Sequence, residues 1–330
     1  MESDHKSIQP GDLGKEEPTG HFPVLLEEIL DLASQAVQDC GGPANCSILD
    51  GTLGAGGHSL ALSKIGAPMI LSDRDQRMVS IAKERFLSEG VEPSEPRFDW
   101  RCSRASELEL APDLGFALLD LGISMIHLKG MNAGFSYDDD TLDMRLDPEL
   151  PDSAADLLNN LDEQSLADIL FQYGEERASR KIAARIVASR PLESARQLAT
   201  IIEKAIPGPR KRAHPARKTF QALRIAVNRE LQEAAQAVDT IAAALKPGGV
   251  LAVITFHSLE DRLIKQTFAK LCGANQPPEQ SNKYFPAPEA DAPLFEKAIR
   301  KSITPSAEEQ EKNLASRSAR LRAIRRRIIE

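Results

Sequence analysis

The segment SILDGTLGAGGHS (Ser47 to Ser59), followed at the end of the next apolar run by Asp73 in MILSDRD, constrains this chain more than any other feature. Ile48 and Leu49 predict a buried strand, Asp50 to Gly57 a glycine-rich turn, and Ser59 to Ile65 the start of a helix. Gly51, Gly54, Gly56 and Gly57 let the backbone take left-handed angles and pass close to a ligand, and an acid ending the next strand can accept two ribose hydroxyls. That is a nucleotide-type site. Read from Gly54, the third glycine of a dinucleotide fingerprint falls on Ser59, so the pyrophosphate-binding pattern fails at one of its positions. No Gly-Lys-Ser or Gly-Lys-Thr follows, which excludes a P-loop. S-adenosylmethionine fits better: it has no phosphate to cradle, and its ammonium and ribose call for nearby acids. The competing reading is a tight turn with no ligand.

The 330 residues are enough for a full α/β core, either one large domain with an insertion or two domains. Cys40, Cys46, Cys102 and Cys272 form no C-x-x-C pair and no zinc spacing, so they read as reduced thiols of a cytoplasmic protein. Residues 1–20 are polar and acidic and predict a disordered tail, not a signal peptide. No apolar run approaches the roughly 18 residues of a membrane span. A net charge of −8 argues against indiscriminate coating of nucleic acid, but local distribution overrides the total. From Lys204 to Arg229 there are eight Lys or Arg residues and no acid, and a second basic cluster runs from Arg317 to Arg327. Either run alone is as well explained by a solvated face.

Short apolar strands are expected at Ser47 to Asp50, Met69 to Ser72, Phe98 to Cys102, Phe116 to Asp120 and Val250 to Thr255, with helices between the early ones. This alternation predicts an α/β fold with a doubly wound, mostly parallel sheet. A crossover needs a few tens of residues, yet Asp120 and Val250 are separated by over a hundred. The interval reads as helical, with Asp162 a plausible cap, and so as an inserted all-helical domain. Phe220, Leu223, Val227, Leu231, Ala234, Val238, Ile241 and Leu245 repeat at helical spacing, which predicts one helix from about Thr219 to Leu245 spanning both units, with the boundary near Asn228. The expected division is therefore 1–20 tail, 21–128 and 229–330 the two parts of the α/β domain, and 129–228 the insertion. Open α/β sheets bind ligands beyond the carboxyl ends of their strands, so an insertion after the fourth strand overhangs the site. Ala274 to Pro293 reads as a loop, and Ala298 to Ile303 and Ser318 to Arg325 as the last two strands, the second basic cluster being partly one face of an edge strand.

Asp120 ends the fourth strand in LLDLGIS, and His257, Ser258, Glu260 and Asp261 follow the fifth in TFHSLED, so the topology brings them to one sheet edge. A Ser258-based hydrolase lacks the G-x-S-x-G elbow. The six histidines show no metal-ligand spacing, and no metal site is expected.

HFPVLLEE (His21 to Glu28), ILDGTLGAGGHS, LLDLGIS, GFSYDDDTLDMRLD (Gly134 to Asp147), YGEERASRKIA (Tyr173 to Ala183), HPARKTFQALRIAVN (His214 to Asn228), LKPGGVLAVITFHSLEDR (Leu245 to Arg262) and SRSARLR (Ser316 to Arg322) occur in this order. Together they resemble the MraW (RsmH) family of small-subunit ribosomal RNA cytosine-N4 methyltransferases, from His21 nearly to the C-terminus. The resemblance implies a class I, Rossmann-like methyltransferase fold with a helical recognition insertion. It also implies S-adenosylmethionine as cofactor, a cytidine in the decoding centre of 16S rRNA as target and a homodimer. Carried over by position, Gly54, Gly56, Gly57 and His58 lie along the methionine, Asp73 on the ribose and Ala105 on the adenine side, with Asp120 and His127 completing the site. His127 stands where a glutamine is usual, Lys129 where an aspartate is usual, and Arg217-Lys218 replaces the usual Thr-Arg. An imidazole offers one hydrogen bond where an amide presents a donor and an acceptor.

The cytosine amino nitrogen is a poor nucleophile, its lone pair being delocalised into the ring, so an acceptor must take an N–H. Asp120 or a neighbouring backbone carbonyl is the expected acceptor, with His257 as orienter or proton acceptor, and Arg217, Lys218 and Arg224 the expected phosphate contacts. Phe220 lies on its helix's apolar repeat and reads as core before stacking platform. Two alternatives are a catalytically silent RNA-binding assembly factor on the same fold and a methyltransferase for another RNA.

Overall fold

A computed structural model of the protein describes residues 23–122, 132–206, 214–274 and 292–328. The expected tail, His127, Lys129, the Arg210 to Arg212 part of the basic run and most of the Pro-rich loop lie outside the described residues. Seven strands form one sheet: β1 (Ser47–Asp50), β2 (Met69–Asp73), β3 (Phe98–Cys102), β4 (Leu114–Asp120), β5 (Leu245–Thr255), β6 (Phe295–Lys297) and β7 (Arg320–Arg326). Their order is β3-β2-β1-β4-β5-β7-β6. The first five pair in parallel, and β7 runs antiparallel between β5 and β6.

Both faces of this sheet are covered, which is why its central strands read as nearly continuous apolar runs. Ile48, Phe116, Leu118, Val250 and Ala252 point into one layer with α1 (Leu26–Asp39) and α3 (Gln76–Ser88). Leu49, Leu119, Leu251 and Val253 point into the other, with Val238 and Ile241 of α9 (Glu230–Ala244) and Phe268 of α10 (Ser258–Leu271). The strand-to-helix turn after β1 leads into α2 (Gly57–Leu62), and Asp75 caps α3 by accepting the Arg77 N–H. No helix among the described residues is long and apolar enough to cross a membrane.

Between β4 and β5 the chain builds an inserted helical domain: α4 (Ala154–Asn160), α5 (Glu163–Gly174), α6 (Ser179–Val187), α7 (Ala195–Ala205) and α8 (Arg217–Asn228). Asp162 caps α5, and α4 and α7 begin with capping boxes at Ser153 and Ser194. Leu158, Leu170, Ile182, Leu198, Ile202, Phe220 and Leu223 form its own apolar cluster, which places Phe220 in the core.

The single helix expected from Thr219 to Leu245 is two helices. Arg229 takes a left-handed conformation (φ 49°) between α8 and α9. The Asn228 side-chain amide donates to the Met144 carbonyl and accepts the Leu146 N–H, tying the end of α8 to the irregular segment that precedes α4. The apolar repeat runs unbroken across the joint because Phe220, Leu223 and Val227 face one core while Val238 and Ile241 face another; periodicity reports burial and not which core is faced. Two further differences concern the C-terminal strands. β6 falls at Phe295–Lys297, earlier than expected, and Ile303 makes only an isolated bridge to Leu321. β7 lies between β5 and β6, and two of its basic residues are engaged by acids of the fold: Arg322 forks onto Asp261 (2.8 and 3.1 Å) and Arg325 pairs with Asp39 at 3.0 Å.

Candidate active site

The carboxyl ends of β1, β2 and β4 open into a cleft roofed by the start of α9 and closed at one end by the start of α10. Its wall includes Gly51, Thr52, Gly54, Asp73, Arg74, Ala105, Asp120, Leu146, Glu230, Glu233 and Glu260.

The glycine turn is shaped by close approaches. A Cβ on Gly51 would lie 2.9 Å from Leu119 Cδ2 and 3.2 Å from Ala105 Cβ, and Gly56, at φ 77°, would press a Cβ onto Ala82 at 3.0 Å. Asp50, buried beneath the turn, accepts the Ser59 hydroxyl and the Thr52 N–H, and burial raises its carboxyl above the usual range. Thr52 in turn accepts the Asp120 N–H at 2.6 Å. Asp73 takes the Gly54 N–H on Oδ2 (2.8 Å) and the Asp75 N–H on Oδ1 (2.9 Å). These backbone bonds fix the carboxylate at the carboxyl end of β2, where it lines the cleft.

Gly54, Asp73, Ala105 and Asp120 thus converge on one cleft. Gly56, Gly57 and His58 lie behind the turn: Gly57 faces Pro23, and His58 meets the Val24 carbonyl through Nε2 (2.9 Å) and Asp120 Oδ2 through Nδ1 (3.7 Å). Asp120 Oδ1 is buried without a hydrogen-bond donor among the described residues. Burial, helped by Asp50 and Glu260 and opposed by His58, pushes the Asp120 carboxyl up to about 6.

His257 does not line the cleft. It caps α10, Nδ1 accepting the Glu260 N–H at 3.3 Å, with Nε2 3.0 Å from Glu260 Oε1. The acid that reaches the cleft from this segment is Glu260, whose Oε2 accepts the Phe256 and His257 N–H groups at 2.7 and 3.2 Å.

Arg224 is a correction to the expected phosphate contacts. Its guanidinium is forked onto Glu230 at 2.8 and 2.8 Å, across the Arg229 joint, and both side chains are nearly buried. Arg224→Ala leaves the Glu230 charge buried and unpaired, so a loss of about 3–5 kcal/mol in denaturant-measured stability is expected, with a much smaller loss in Arg224→Met combined with Glu230→Leu. Arg217 is exposed at the start of α8, and Lys218 donates to the Glu175 carbonyl at 2.7 Å. Both lie on the insertion away from the cleft lining.

Sequence reasoning missed Arg74, Glu230 and Glu233 as cleft residues. Arg104 links the two units by pairing with Asp147 at 2.7 Å and Glu233 at 3.1 Å. Reading α8 and α9 as one helix hid Glu230 and Glu233, which sit at a helix start facing the cleft. Glu230, His257 and Glu260 also bring possible ligand atoms within 4.8 Å of one another. Arg224 and the α10 cap already engage this set, and no sequence spacing announces it.

Strand order, the antiparallel β7, the glycine turn after β1 and the acid ending β2 define a class I, Rossmann-like methyltransferase. The chain belongs to the MraW methylase family, whose sequence profile matches residues 18–327. It is 42% identical over 313 residues to "Ribosomal RNA small subunit methyltransferase H" of Methylocella silvestris, covering 92% of this chain and 87% of that one. Proteins of the same name from Cereibacter sphaeroides (40% over 310 residues) and Roseobacter denitrificans (41% over 309 residues) each match 92% of this chain and 88% of their own length.

Proposed function

We propose that this protein transfers the methyl group of S-adenosylmethionine to N4 of a cytidine in the decoding centre of 16S rRNA, acting on the small ribosomal subunit in the cytoplasm. The observation that carries this reading is Asp120: a buried carboxyl at about 6, with an oxygen lacking a donor, in the same cleft as the backbone-fixed Asp73. The cleft fits the cofactor, since the backbone-fixed Asp73 carboxylate, Gly54 and Ala105 line it together beside the glycine turn. When bound, S-adenosylmethionine supplies an electrophilic methyl on a sulfonium.

Asp120 accepts an N–H of the cytosine amino group, which raises electron density on N4. As N4 takes the methyl group, the proton it loses would pass to Asp120. A group titrating near 6 is largely ionised at neutral pH and still able to take that proton. His257 acts through Glu260. Gly54 lies along the methionine side, with Gly56, Gly57 and His58 shaping the turn behind it. Residues 129–228 form the recognition insertion between the two parts of the catalytic domain, 21–128 and 229–330, with Arg217 and Lys218 reaching RNA phosphates. A silent scaffold is not favoured, because the acids that methyl transfer needs converge on one cleft. Purified protein given S-adenosylmethionine labelled in its methyl group is expected to label RNA in small subunits and not in large ones; label in neither, from folded protein that binds the cofactor, refutes the reading.

A further inference from the structure

We propose that Glu260 is a second base-reading acid: Glu260 and Asp120 each take one of the two N–H donors of the target amino group and together exclude a base bearing a carbonyl there. This inference rests on the cytosine reading above.

Glu260 is 2% exposed yet lines the cleft. Its two oxygens have separate duties. Oε2 is spent on the Phe256 and His257 N–H groups, which locks the carboxylate to the start of α10. Oε1 has the contact with His257 Nε2 at 3.0 Å, outside good hydrogen-bond geometry, and keeps a lone pair for a further donor. Because His257 Nδ1 accepts the Glu260 N–H, the proton of the neutral ring sits on Nε2, facing Oε1. His257 is thereby a positioning residue that holds Oε1 in place.

Asp120 Oδ1 is buried with no hydrogen-bond partner among the described residues. Asp120 is faced by His58 from α2, Asp50 from β1 and Glu260 from α10, and Glu260 is near enough to raise its carboxyl. Asp120 Oδ1 without a donor and a Glu260 Oε1 that keeps a lone pair beside its His257 contact, both on residues lining one cleft, suit a ligand bringing two donors. The cytosine amino group has two N–H on one nitrogen. The uracil carbonyl at the same ring position has none, and its oxygen would sit against two carboxylates, leaving both unpaired.

The test uses the full-length protein, with small subunits carrying cytidine or uridine at the target position. Glu260→Gln keeps an oxygen for the α10 cap and introduces an NH₂ that can donate to a carbonyl. Uridine-bearing subunits are expected to compete at least about tenfold better, relative to the cytidine KM, against this variant than against the natural protein. The acid limb of its kcat/KM profile is expected at lower pH, because a charge that raises Asp120 is gone. His257→Asn retains a good N-cap and loosens Oε1, so it is expected to raise KM for cytidine-bearing subunits and weaken discrimination, with calorimetric S-adenosylmethionine affinity unchanged. A natural ratio and a natural acid limb in folded Glu260→Gln overturn the inference. If that variant does not fold, an unchanged ratio in His257→Asn overturns it. Failure of the natural protein to make N4-methylcytidine instead overturns the reading beneath it.

Discussion

Asp120→Asn is expected to lower kcat by about 10²–10⁴-fold while making the protein more stable at neutral pH. The carboxyl is raised from 3.8 to about 6, so between those values the folded state holds a proton that the unfolded chain has released. Stability therefore falls as pH rises toward and through about 6, and at neutral pH the buried charge costs on the order of 3 kcal/mol. An amide has no charge to desolvate and accepts no proton. Thermal melts should show the variant's advantage near pH 7.5 and little of it near about pH 4. The natural enzyme's kcat/KM should rise through pH about 6 as Asp120 ionises. Single-turnover rates with saturating cofactor check the kinetic half. An unchanged rate removes Asp120 from the chemistry, and an advantage confined to acid pH reverses the sign of the electrostatic account.

Asp73→Ala is expected to weaken S-adenosylmethionine binding by about 3 kcal/mol, roughly two orders of magnitude in Kd, through loss of charged hydrogen bonds to the ribose. The same substitution strands the Gly54 and Asp75 N–H groups, so the glycine turn loses the anchor that joins it to β2. Asp73→Asn keeps one acceptor and turns a donor toward an N–H, and should bind more weakly than the natural protein but better than the alanine variant. Isothermal titration of the three proteins measures the series. Equal affinities would mean that the ribose lies elsewhere.

Much of this arrangement was legible in the sequence. The β1 turn, Asp73 and Asp120 could be placed at one sheet edge because apolar strands bounded by turns report their ends well, and α/β topology dictates which ends meet. The capped helices of the insertion carried local signals, such as Asp162, that need no tertiary information. What escaped depended on long-range pairing. The α8–α9 break is imposed by Asn228 reaching Met144 and Leu146, far away in sequence. Arg224 looked like a phosphate ligand because its charge is visible and its partner Glu230 is not identifiable until the chain turns at Arg229. The basic residues of β7 were read as surface because nothing local shows that Asp261 and Asp39 lie opposite them. His257 looked catalytic, since a histidine after the fifth strand has the right chemistry, but its ring is engaged in the α10 cap and Glu260 is presented to the cleft.

The most direct test of the central claim is nucleoside analysis by mass spectrometry of small-subunit rRNA from cells with and without this gene. N4-methylated cytidine at the decoding centre should be present with the gene, absent without it, and restored by the natural protein but not by Asp120→Asn. Equal amounts of the modified nucleoside in both strains would contradict the account.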